Sequence, residues 1–94
     1  MALITVRFYS LWRHHLGKDN VTLQADNIDD ALRQIEEDFG SQLRANLEAA
    51  GISLNGTLQD NSLVLLNGTA LRNLKNTDLQ DGDVLHVFPP GIGG

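Results

Sequence analysis

Two periodicities, met in a fixed order, restrict this chain to a narrow set of folds. Residues 3–8 alternate, with Ile4, Val6 and Phe8 on one face and Thr5 and Arg7 on the other, the signature of a half-buried strand. A second short alternation follows at residues 20–24, with Val21 and Leu23 inward. The segment between them, 9–20, contains Gly17 and reads as a connection closing a hairpin. The period then changes. Ile28, Leu32, Ile35 and Phe39 recur at spacings of four, three and four, with Ala31 beside them, so an amphipathic helix lays one stripe on the hairpin. Asn27 is placed to cap it, Asp29 and Asp30 favour its positive end, and Gly40 is expected to stop it.

Residues 41–50 predict a second, shorter helix with Leu43 and Leu47 inward, closed by Gly51. Residues 51–61 lose all periodicity and read as a surface loop. Leu63-Val64-Leu65-Leu66 is expected as a buried strand, and Asn67-Gly68 is the strongest short turn signal in the chain. A short strand around Ala70 and Leu71 follows, then a connection packed by Leu74 and Leu79, then an Asp81-Gly82-Asp83 turn into a final strand at 84–88. A hairpin, a helix and later strands make an α+β protein, a mixed sheet with one main helix on one face. In the last strand, a polar His86 facing outward places Leu85 and Val87 in the core and Phe88 on the outer face.

With 94 residues the chain is expected to form one domain, residues 1–88, followed by an extended arm, residues 89–94. The absence of cysteine removes disulfides, thiolate metal sites, iron–sulfur clusters and a cysteine nucleophile together, and with them a ferredoxin-type electron carrier. A formal net charge of −5 argues against nucleic acid and favours a partner with a basic surface. No apolar run is long enough to span a membrane and the first residues lack a secretory pattern, so a cytoplasmic protein is expected. His14 and His15 are adjacent and do not chelate one metal without further ligands, and the carboxylates Glu36, Glu37 and Asp38 read as a solvated helix face. Tyr9 and Trp12 are expected at the core edge, without a function.

The arm itself, Pro89-Pro90-Gly91-Ile92-Gly93-Gly94, has an unusual build. Two prolines hold φ near −65° and lack N–H groups, so they end the strand and favour an extended path. Four further residues at ~3.3–3.6 Å each reach about 13–14 Å. Glycines at the tip would allow the backbone to thread a channel too narrow for a side chain, with the Gly94 carboxylate the last group in it.

Four stretches together resemble the ubiquitin-like sulfur carriers of the MoaD/ThiS family: Phe8-Tyr9-Ser10-Leu11-Trp12-Arg13 through Leu16-Gly17, Leu65-Leu66-Asn67-Gly68, Leu79-Gln80-Asp81-Gly82-Asp83, and Phe88-Pro89-Pro90 ahead of the terminal Gly93-Gly94. The last is similar to the molybdopterin-synthase branch. Residues 42–61 find no counterpart. The resemblance implies a β-grasp fold and a small subunit of molybdopterin synthase that binds no cofactor and supplies no catalytic residue of its own. It implies that a ubiquitin-activating-type adenylyltransferase uses ATP to adenylate Gly94. A persulfide sulfur donor then leaves a thiocarboxylate, whose sulfur passes to a precursor in the large subunit of molybdopterin synthase. Phe88, Pro89, Pro90, Gly91, Ile92 and Gly93 would contact the partners. Thiamine, tungstopterin or amino-acid sulfur carriers and an archaeal protein modifier share the same terminus; an inert ubiquitin-like binding module is the alternative of another class.

The narrow-channel reading makes a steric prediction. Gly93→Val adds a β-branched side chain that restricts the backbone and cannot share the channel. Activation by the cognate enzyme should be lost while the melting temperature stays that of the wild type. Full activation of Gly93→Val would show that threading does not require the glycines.

Overall fold

The computed structural model describes residues 1–89; the expectations for Pro90, Gly91, Ile92, Gly93 and Gly94 lie outside the described residues. Among the described residues, five strands form one mixed sheet: β1 (Ala2–Phe8), β2 (Asn20–Ala25), β3 (Leu63–Leu66), β4 (Thr69–Ala70) and β5 (Val84–Phe88), in the spatial order β2-β1-β5-β3-β4. β1 pairs antiparallel with β2 and parallel with β5, and β3 pairs antiparallel with both β5 and β4. The expected alternation in β1 holds, with Ile4, Val6 and Phe8 buried. Leu85 and Val87 of β5 and Val64 and Leu66 of β3 are buried with them, and the helices cover these side chains.

Helix α2 (Ile28–Ile35) begins as the sequence suggests: the Asn27 side chain accepts the Asp30 N–H at 2.8 Å, an N-cap. Ile28, Ala31, Leu32 and Ile35 are buried and Phe39 packs edge-on against Phe8, their centroids 5.7 Å apart. Gly40 does not stop the helix. Its φ and ψ, −59° and −46°, are helical, and the chain runs through a π-helical turn, Glu36–Gly40, straight into α3 (Ser41–Ala49). The reason lies on the helix surface. A Cβ at Gly40 would collide with the Glu36 carboxylate. That carboxylate accepts Arg44 Nη2 at 2.6 Å and the Leu58 N–H at 2.7 Å, and Arg44 also donates to the Gly56 carbonyl at 3.0 Å. Gly40 thus supplies room for a close approach rather than a break, and the bulge aims Glu36 at the loop. The helix ends at Gly51, whose φ of 81° is the left-handed conformation a glycine adopts readily. The loop that follows is not wholly superficial, because Leu58 is buried.

The segment after β1 is the larger departure. Instead of an irregular connection, Ser10–Leu16 forms α1, and Gly17 closes it in the left-handed region at φ 73°. Trp12 and Leu16, four apart, face inward, and Trp12 is a fully buried core residue rather than an edge residue. Its Nε1–H donates to Ser62 Oγ at 2.9 Å, and Ser62 in turn donates to the Leu58 carbonyl. The buried indole therefore has its polar atom satisfied, and it ties α1 to the loop and to the start of β3. Leu63 also departs from expectation. It is 55% exposed, because β3 alternates instead of being buried throughout.

Trp12→Ala should lower the unfolding free energy by about 3–5 kcal/mol, the range for removing a buried aromatic side chain. Urea titration followed by far-ultraviolet circular dichroism measures it. A loss below about 1 kcal/mol, typical of surface changes, would remove Trp12 and α1 from the core.

Candidate functional site: the root of the C-terminal arm

β5 carries the arm, so the features that fix β5 define the site. Its entry is tied to both neighbours. The Asp83 carbonyl accepts the Thr5 N–H of β1 at 3.0 Å, and the Gly82 N–H donates to the Leu3 carbonyl. The Asp83 carboxylate accepts the Gln80 N–H at 2.8 Å and the Asn67 side-chain amide at 3.0 Å. Asn67 Oδ1 accepts the Val84 N–H, while the Asn67 N–H donates to the Val84 carbonyl, both at 2.9 Å. Asn67 and Gly68 hold φ values of 51° and 92°, the pair of positive values a two-residue hairpin demands. The Asn-Gly and Asp-Gly-Asp motifs are therefore one assembly that fixes where β5 begins.

At the other end of β5, Leu85 and Val87 point into the core while His86 and Phe88 lie half-buried on the outer face. Phe88 is on the expected face but is not fully exposed. The Tyr9 ring stacks on it, centroids 4.3 Å apart and planes 14° from parallel. Tyr9 Oη and His86 Nδ1 are hydrogen-bonded at 2.6 Å, and the Tyr9 N–H donates to the Val87 carbonyl at 3.2 Å. The Arg7 guanidinium lies over the Tyr9 ring, 5.9 Å from its centroid. Across the sheet, Leu63 is the register partner of Phe88. Pro89, counted with the arm, is buried. The sequence places Tyr9 at the core edge without a function and Leu63 in a buried strand, so neither is expected on the outer face beside Phe88. Both were findable, Tyr9 from continuing the Arg7 face of β1 by one step of alternation and Leu63 from the same rule in β3.

The other candidates resolve as surface structure. Arg33 bonds both Asp30 and Glu37, and its hydrogen bond to Asp30, against some desolvation, holds that carboxyl below the ordinary carboxylate range. Glu36 is committed to Arg44 and the Leu58 N–H. The His14 and His15 rings sit edge-on, 5.0 Å apart. Among the described residues no three His, Cys, Asp or Glu side chains are grouped to hold a metal. What the arrangement offers chemically is a rigid, aromatic-flanked base for a segment that continues past it.

A model of the ThiS family matches residues 9–94. The small archaeal modifier protein 3 of Haloferax volcanii is 28% identical over 96 residues, covering 97% of this chain and 98% of the relative. Among solved structures, the small archaeal modifier protein 1 of Haloferax volcanii superposes with a TM-score of 0.64 at 25% identity, over 99% of this chain and all of the other (100%). Molybdopterin-converting factor of Helicobacter pylori, a complex of subunits 1 and 2, contains a chain that superposes with a TM-score of 0.58 at 25% identity, covering 98% and 99% of the two chains. The mixed five-stranded sheet with its main helix on one face is thus the ubiquitin-like β-grasp. The chain belongs to the ThiS family of ubiquitin-like sulfur carriers and small archaeal modifiers.

Proposed function

We propose that the chain is a sulfur carrier whose reactive group is the Gly94 carboxylate, acting as the small subunit of a molybdopterin synthase. A carboxylate repels nucleophiles, so a ubiquitin-activating-type adenylyltransferase first joins it to ATP. The carboxylate oxygen bonds to the α-phosphorus, pyrophosphate leaves, and Gly94 becomes an acyl-adenylate. The terminal sulfur of a donor persulfide then attacks the carbonyl carbon and AMP departs. A thiol cleaves the resulting S–S bond and frees the thiocarboxylate, whose sulfur passes to a pterin precursor held by the large subunit. The carrier provides the carbonyl and the arm; acid, base and ATP belong to the partners, and the setting is cytoplasmic.

The observation that carries this reading is the family match running through Gly93 and Gly94. The likeness to a molybdopterin-converting factor chain that assembles with a second subunit supports the pterin branch. A second reading has its own support in the 28% identity to a small archaeal modifier. In it, a lysine amine takes the place of sulfur, AMP leaves in the same way, and Gly94 ends in an isopeptide bond. Both readings share the adenylate and differ in the nucleophile.

Reconstitution decides between them. With its cognate activating enzyme, ATP and a sulfur donor, the intact chain should gain sulfur in place of one oxygen, and fragmentation should put the change on Gly94. Deleting Gly94, or appending one residue, should abolish it. A wild-type chain left unmodified by the partners of its own source would overturn the sulfur reading, and protein conjugates through Gly94 in the same mixture would favour the modifier. Phe88→Ala should weaken docking to the large subunit, because it removes contact area at the arm root. It should also cost about 1–2 kcal/mol of stability through the lost Tyr9 stack. Unchanged affinity would place the docking surface elsewhere.

A further inference from the structure

The ladder between β1 and β5 ends one residue too early to hold the arm. Its last register pair is Phe8 with Val87, so Phe88 has a strand partner, Leu63, on the β3 side only. On the β1 side, the next residue is Tyr9, and Tyr9 touches each of the last three residues of β5 by a different means. Its hydroxyl bonds His86, its N–H bonds the Val87 carbonyl, and its ring stacks on Phe88. Tyr9 is itself pinned. Its carbonyl accepts the Trp12 N–H at 3.1 Å as α1 begins, and the next residue, Ser10, turns the chain at φ 52°. A serine in the left-handed region is uncommon, so the surroundings determine this turn closely. The turn is what takes the chain out of the sheet just after Tyr9 and leaves its side chain beside Phe88.

We propose that Tyr9 is a positioning residue: its ring replaces the missing β1 ladder at Phe88 and fixes the direction in which the arm leaves the body. The inference rests on the carrier function proposed above for its kinetic consequence, though not for its geometric content. A guide at the root acts on delivery of Gly94 rather than on docking. An arm that swings from a loosened root still belongs to a body that docks normally, but its tip meets the activating site less often in reacting geometry.

Three substitutions separate this role from plain stability. Tyr9→Ala removes stack and hydroxyl; Tyr9→Leu does the same while keeping apolar bulk, which guards against a variant that fails to fold; Tyr9→Phe keeps the stack. For adenylation by the cognate enzyme, Tyr9→Ala and Tyr9→Leu should lower kcat roughly 10- to 100-fold, the scale of a misplaced reacting atom, with KM within about twofold. Tyr9→Phe should restore most of the rate. Leu79→Ala, a core change at the far end of β1, should reduce the melting temperature without lowering kcat. A rise in KM at constant kcat would make Tyr9 a docking residue, and an equal kcat loss in Leu79→Ala would make it merely structural; either overturns the proposal. The geometric part is read without any enzyme. Residual dipolar couplings of the His86 and Phe88 amides should change in Tyr9→Leu, while those of the β1–β2 hairpin stay fixed. Unchanged couplings overturn the guiding role even if the carrier function holds. Changed couplings in a chain that no activating enzyme accepts would sustain the guide and refute the carrier.

Discussion

Everything in this molecule depends on β5 being paired on both sides. Remove it, and the sheet falls into the β1–β2 hairpin and the short β3–β4 hairpin, each marginal alone. In place, it adds Leu85 and Val87 to the core, each burial stabilising by about 1.5–3 kcal/mol, and it joins the two halves through a parallel and an antiparallel ladder. The strand that closes the fold is also the strand that ends at the arm. Any force transmitted along the arm meets the most constrained element of the sheet. The Asn67–Asp83–Val84 bonds fix its entry and Tyr9 lies against its exit, so its register has no freedom to slip.

The second organising interaction is the Glu36–Arg44 pair. Its carboxylate is shared between Arg44 and the Leu58 N–H, and the bulge that aims it requires Gly40 to lack a side chain. Through Leu58 and Ser62 this network reaches the Trp12 indole. Residues 42–61, which match nothing in the motif pattern, therefore act as a brace. They connect the far half of the long helix to α1 and to the first residue before β3, close to the arm root. Because the ion pair is only partly exposed and each member has further hydrogen bonds, it does more than an isolated surface pair.

The parts of the fold that were legible in the sequence are those decided locally. Alternation gave the inward faces of β1 and β5. The Asn27 cap and the Asn67-Gly68 turn follow from what one side chain and one glycine do to adjacent backbone. The misreadings share a different cause. Gly40 has two roles open to a glycine, and the Glu36–Arg44 pair, whose members are eight residues apart, selects between them. Helix α1 spans seven residues and has no side-chain N-cap, so only the Trp12–Leu16 spacing and Gly17 announced it. Leu58 is buried in the core and its N–H is held by Glu36, tertiary contacts with no period. The arm's composition pointed to Phe88 onward, yet the residue that grips Phe88 is Tyr9, 79 positions earlier and adjacent only through parallel pairing.

A sulfur carrier and a protein modifier need the same architecture: a rigid root, a slim arm and a carboxylate at its end. Neither needs a catalytic constellation on the body. The proposed reactive group is the Gly94 carboxylate. The most direct measurement is mass spectrometry of the C-terminal peptide from chain purified out of its own cells during active cofactor synthesis. A Gly94 thiocarboxylate, or Gly94 joined to a lysine amine, is the predicted result. A terminal Gly94 found only as free carboxylate, with the adenylating partner present and active, would contradict it.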